Sequence, residues 1–250
     1  MCYSRGMATT SALRKAAALR HSAVVRVTHW ITAIAFLALL ITGAEIVISH
    51  PRFYWGETGN VRTAPLFKLP IASSRGTVPT GYGVLPDQNG WSRYLHFQAA
   101  WAAVLTGLVY CVWGFCTGHF RKNVLPLRGE RTWRSGWIVI AKYLGRAAAG
   151  EGEADSYNVV QRTAYLSVIF VLFPLVIWTG LAMSPGFTSA VPLSVELLGG
   201  RQSARTLHFF VSILLLLFLL IHVTMVATTG FRSRMRAMIT GRAQKHLEQE

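Results

Sequence analysis

His208 and His222 lie fourteen positions apart in one apolar stretch, TLHFFVSILLLLFLLIHVTMVA, which is long enough to cross a bilayer. On an α-helix that spacing is about 3.9 turns, so both imidazoles share a face and sit roughly 21 Å apart along the axis. One falls near each side of a membrane. An ionisable side chain inside hydrocarbon marks a functional position, because burying it without a partner is costly. Two imidazoles at these depths suit axial ligation of two stacked haems.

Such a site needs elements to carry its ligands. Apolar runs predict four membrane spans, at about 25–48, 92–117, 161–183 and 205–228, each near the roughly 20 residues a bilayer requires. The expected fold is therefore all-α: an integral membrane four-helix bundle with a cytoplasmic interfacial helix and a long outer loop. Its organisation reads as a basic tail over 1–23, a membrane domain over 24–230 and a second basic tail over 231–250. The interfacial helix is TWRSGWIVIAKYLGRAAAG, too short and polar to span, with Trp133, Trp137 and Tyr143 as anchors. Pro174 predicts a kink in the third span, and no histidine lies in that span.

Composition agrees. The chain is 52% hydrophobic and 14% charged across 250 residues, too apolar for an ordinary soluble domain. Its formal charge of +15 falls in segments between spans rather than on one face, and no recognition motif accompanies it, so nucleic acid is not an expected partner. Three cysteines, Cys2, Cys111 and Cys116, form neither C-x-x-C nor C-x-x-C-H, so haem would be held non-covalently. The first apolar run is too long for a signal peptide and reads as a retained anchor, with Met1 or Met7 as the start.

Positive residues set the orientation. Arg14, Lys15, Arg20 and Arg26 precede span one; Arg121 to Arg146 fill the second connection; Arg232 to Lys245 follow span four. These segments are expected inside, with both termini cytoplasmic. The loop from about His50 to Trp91, and a shorter one around Pro185 to Arg201, then face outward. The longer loop suits a docking surface.

Depth pairs the histidines. His29 and His222 lie near the cytoplasmic ends of spans one and four, and His96 and His208 near the outer ends of spans two and four. Each pair matches the two axial positions of one haem iron, using neutral imidazoles. Arg26, Arg93 and Arg205 each precede a histidine by three residues, one turn toward water. A guanidinium there suits a haem propionate, although arginines also gather at helix ends and snorkel. Gly43, Gly107, Gly114 and Gly180 lie within the spans and would let a flat macrocycle approach the backbone, while also serving helix packing. His21, His50, His119 and His246 fall in tails or at span ends and are expected to be solvated.

RVTHW at the start of span one, a histidine opening span two, YNVVQR before span three and His-x13-His in the last span carry a resemblance. Over roughly residues 20 to 235 the chain resembles the four-helix di-haem cytochrome b subunits of formate dehydrogenase, nickel-iron hydrogenase and thiosulfate reductase. HPRFYWG is most similar to the thiosulfate-reductase branch. The resemblance implies two haem b groups, with the pairing reached above from depth. It also implies electron exchange between membrane quinone and a catalytic subunit on the outer face of the bacterial inner membrane. That partner is expected to be a periplasmic molybdopterin oxidoreductase subunit, with hydrogenase second. Tyr157, Asn158 and Gln161 stand where the resemblance implies a quinone site. Two other readings remain open: a stand-alone quinone-reactive cytochrome that oxidises a small reductant directly, and a non-redox membrane transporter whose histidines bind protons or metal.

Overall fold

The computed structural model describes residues 21–60, 62–71, 90–125, 159–228 and 230–241. The interfacial helix expected over 132–150, with Trp133, Trp137 and Tyr143, lies outside the described residues. So do Tyr157, Asn158, His246 and most of the N-terminal tail.

Four helical stretches are apolar and long enough to cross a membrane: Ala23–Ser49, Trp91–Cys116, Thr163–Leu181 and Arg201–Thr228. They bear out the expected spans with small shifts at the ends. Along α1 (Ala23–Ser49), Val27, Ile31, Ile34 and Ile41 recur at helical spacing and are 42–68% exposed. A stripe so apolar and uncovered is solvated by lipid. Helix α2 (Gly90–Cys116) presents Trp101, Leu105, Leu108 and Val112 in the same way. Among the described residues the fold is all-α apart from one antiparallel pairing, β1 (Arg52–Phe53) with β2 (Phe67–Lys68).

The third span is interrupted. Helix α3 (Val159–Ser167) passes through a π-helical turn at Val168–Leu172 into α4 (Phe173–Leu181). Pro174, in the first turn of α4, has no N–H to give to the preceding turn, so a widened turn there accommodates it. Three further helices, α5 (Pro185–Ala190), α6 (Leu193–Glu196) and α7 (Arg201–Thr228), follow, and α8 (Phe231–Thr240) comes last.

The chain divides into two compact units: Met1–Ala44, Gly90–Tyr110 and Leu216–Glu250 form one, and Glu45–Asn89 and Cys111–Leu215 the other. In the first unit the basic segment after span four does not begin as the tail expected over 231–250. Residues Phe231–Thr240 are helical, bracketed by Gly230 at φ 102° and Gly241 at φ 80°. The last turn of a helix leaves carbonyls without intrahelical donors, and α1 supplies them. Arg26 donates through Nη1 to the Ile239 carbonyl at 2.7 Å, and Trp30 through Nε1 to the Met238 carbonyl at 3.2 Å. Ala237 is buried beneath them.

In the second unit, the first part of the outer loop is packed on the start of α7. The Gly56 carbonyl accepts from the Gln202 and Ser203 amides at 2.9 and 3.2 Å, and the Gly56 amide donates to Ser203 Oγ at 2.7 Å. The Arg201 amide donates to Glu57 Oε2 at 2.9 Å, and Thr206 Oγ1 to the Tyr54 carbonyl at 2.7 Å. The Gly56 carbonyl and the Glu57 carboxylate thereby satisfy the amides of Arg201, Gln202 and Ser203, which have no partner within the helix. Phe53, 1% exposed, stacks on Phe67 at 4.7 Å and leans on Phe209 at 4.5 Å.

Candidate functional site

Helices α1 and α7 bring His29 and His222 together, with ring centroids 6.3 Å apart and planes inclined at 60°. An imidazole nitrogen binds a first-row metal at about 2 Å, and the ring centre lies roughly 1 Å behind it. Two rings on opposite sides of one iron therefore have centres about 6 Å apart. The observed separation is close to that value. Phe218, one turn before His222, lies nearly parallel to its ring at 5.8 Å, and Trp30 meets His29 edge-on at 5.5 Å. Both neighbours restrict ring rotation.

His96 belongs to the first unit and His208 to the second, and each sits against its own threonine. Thr42 Oγ1 lies 2.9 Å from His96 Nδ1. Thr179 Oγ1 lies 3.1 Å from His208 Nδ1, which is also 3.1 Å from the Val176 carbonyl. Both threonines are fully buried. The glycine after each makes room for the ring. A Cβ on Gly43 would stand 3.6 Å from His96 Cε1, and one on Gly180 only 3.3 Å from His208 Cε1. The flat group against Gly43 and Gly180 in this structure is an imidazole. Gly107 faces open space, and Gly114 is covered by the Phe120 ring, which a Cβ would strike at 2.5 Å.

The arginines separate. Arg26 hydrogen-bonds Ile239, while its Nε is buried with no hydrogen-bond partner among the described residues. That orphaned donor, one turn from His29, fits an acidic group such as a propionate. Arg205 instead donates to the His50 carbonyl and lies over the Phe53 ring at 5.0 Å. Arg93 is exposed. His21, His50 and His119 are half-buried rather than solvated. His119 packs on Trp113 at 4.9 Å, and burial there lowers its pKa from the ordinary value.

Gln161 lies on α3, with its side chain outside the described residues. A cavity of about 410 Å³ borders the same helix, lined by Gly114, Phe115, Phe120, Arg121, Leu166 and Phe170. Among the described residues, no three His, Cys, Asp or Glu side chains converge on one point. Imidazoles that offer one ligand each suit a metal whose remaining positions a macrocycle fills.

Four apolar spans, three of them carrying half-buried imidazoles, define a helical membrane protein built like a cytochrome. The chain belongs to the prokaryotic cytochrome b561 family, whose model matches residues 20–241. The family is one of haem b electron-transfer subunits, which bears out the resemblance seen in the histidine pattern. The chain is also 29% identical over 214 residues to the "Putative protein-methionine-sulfoxide reductase subunit YedZ1" of Azospira oryzae, covering 83% of this chain and 89% of that protein.

Proposed function

We propose that this protein is a di-haem subunit of the bacterial inner membrane that passes electrons between quinone and an oxidoreductase on the outer face. The observation that carries the reading is the 6.3 Å approach of His29 to His222. These two hold one haem near the cytoplasmic side, where both termini lie, and His96 with His208 hold the other near the outer side. Haem b bound at such sites supplies reversible one-electron chemistry, while the chain supplies the ligands, their orientation and a low dielectric. Arg26 binds a propionate through its orphaned Nε. Arg93 and Arg205 take the same role at the outer haem, with the Arg205 guanidinium already steadied by His50 and Phe53.

The partner is a periplasmic molybdenum-cofactor oxidoreductase, with hydrogenase second. The name of the Azospira oryzae relative favours a reductase of protein methionine sulfoxide, which needs electrons sent outward from quinol. Purifying the chain alone and assaying pyridine haemochrome is expected to give about two b-type haems per chain. A colourless protein from haem-replete cells would end this reading.

Quinone exchange is assigned to Tyr157, Asn158 and Gln161, on the cytoplasmic side. The apolar cavity bordering the same helix supports it, being within the size range of small-molecule sites. Gln161→Ala is expected to lower quinone turnover roughly tenfold, the worth of one hydrogen bond to a carbonyl oxygen. Both haem spectra should stay unchanged. Unaltered turnover in steady-state assays with a soluble quinol would remove Gln161 from the site.

A further inference from the structure

The two Thr-Gly pairs perform the same task on different histidines. Thr42 Oγ1 lies 2.7 Å from the Ala38 carbonyl and Thr179 Oγ1 2.8 Å from the Leu175 carbonyl, each four residues back on its own helix. A carbonyl oxygen only accepts, so each hydroxyl proton is committed to it. The threonine oxygen is then an acceptor toward the imidazole, and the hydrogen between them sits on Nδ1. At His208 a second acceptor requires the same assignment, since the Val176 carbonyl lies 3.1 Å from Nδ1; the matching Leu39 carbonyl lies 3.3 Å from Thr42 Oγ1. Val176 and Leu39 each stand three residues before the threonine. One hydroxyl, one carbonyl and one glycine thus recur at matching offsets on α1 and α4.

We propose that Thr42 and Thr179 are positioning residues that hold His96 and His208 as the Nδ1-protonated tautomer, leaving Nε2 of each as the iron ligand and thereby tuning the potential of the haem they bind. The proposal rests on the reading of these histidines as haem ligands. An acceptor on the far nitrogen makes an imidazole a stronger donor to the metal and fixes its ring plane. Stronger donation favours ferric over ferrous iron, so losing the acceptor should raise the potential.

The test uses the haem-loaded chain carrying Thr42→Val, Thr179→Val, Thr42→Ser or Thr179→Ser, with redox titration and ferric low-spin EPR. Valine keeps the branched shape and removes the acceptor; serine restores the hydroxyl. Each valine variant is expected to shift the ferrous-to-ferric ratio of one haem, the same one in both, about tenfold at fixed ambient potential, or roughly 59 mV upward. The haem of His29 and His222 should not move, and the serine variants should match the parent. If valine leaves both potentials and both EPR signals in place while His96→Ala and His208→Ala still strip a haem, the inference fails and the ligand reading survives. If those alanine variants keep both haems, the ligand reading itself fails and the inference with it. A valine variant that loses one haem supports the proposal when serine restores it and overturns it when serine does not.

Discussion

Replacing His29 or His222 with alanine is expected to halve the haem content, from about two b-type groups per chain to about one. Under the proposed ligation each supplies one of two imidazole bonds to a shared iron, and the two ring centres already lie 6.3 Å apart. Losing a group that merely orients a metal ligand typically costs about 10–100-fold in metal affinity, and losing the ligand costs more. The haem of His96 and His208 should survive, since its histidines are held by Thr42 and Thr179. Imidazole added to the His29→Ala protein should return part of the missing haem, because alanine leaves a space of that shape. His119→Ala is the control: its ring packs on Trp113, and its loss should leave haem content unchanged. Pyridine haemochrome and reduced-minus-oxidised spectra read every variant. Full haem in both His29→Ala and His222→Ala would refute this pair as ligands.

The second large effect is expected far from any histidine, at Gly200. Its φ of +106° is a conformation that side-chain-bearing residues rarely adopt, and a Cβ there would lie 2.5 Å from the Gly56 carbonyl carbon and 2.6 Å from the Glu57 nitrogen. Both obstacles are backbone, so no rotamer change relieves them. Gly200→Ala must lift the start of α7 away from Gly56, straining the amides of Gln202 and Ser203 that end on the Gly56 carbonyl. Left-handed strain of about 1–2 kcal/mol combines with weakened hydrogen bonds of about 1 kcal/mol each to give a loss of about 3 kcal/mol. For a chain of this size that is a fall of roughly 6–12 °C in the thermal transition, followed by Soret absorbance in detergent. Gly186→Ala should be neutral, because nothing lies within 4 Å of a Cβ at that position. Equal transitions for the two variants would show that the packing of the outer loop does not support the membrane helices.

The spans were legible because hydrocarbon imposes a length and an apolarity that few other environments demand. The His29 and His222 pairing followed from depth alone, since two helices with ligands at one height have few ways to use them. The hydroxyl contacts were not legible. Thr42 and Thr179 stood in the sequence beside glycines that had an adequate packing explanation. Which imidazole each touches depends on helix rotation, which apolar periodicity does not set when a helix is hydrophobic all round. The available signal was a polar residue buried in each apolar span, twice followed by glycine. Helix α8 was missed for a different reason: its arginines read as a solvated tail, whereas two flanking glycines and two donors on α1 make it a packed element. The contact that Arg205 makes was hidden by its even spacing with Arg26 and Arg93. Spacing gives height along a helix and says nothing of a carbonyl such as that of His50, 155 residues away in the chain.

The loop that caps α7 also imposes an order on biogenesis. Glu57 and Arg201 meet across a sequence separation of 144, so the cap waits for its helix while the second and third spans are being made. At about 5–20 residues per second, that wait is roughly 7–30 s. During it, the His50–Asn60 segment is complete and has no helix end to hold. His208 is made within a second or so of Arg201, after the Thr179 and Val176 groups that face its ring. Closure of the Thr179 contact on that histidine is consequently a late event, open only to a nearly finished chain, and a ribosome that stalls before the last span leaves a product without it.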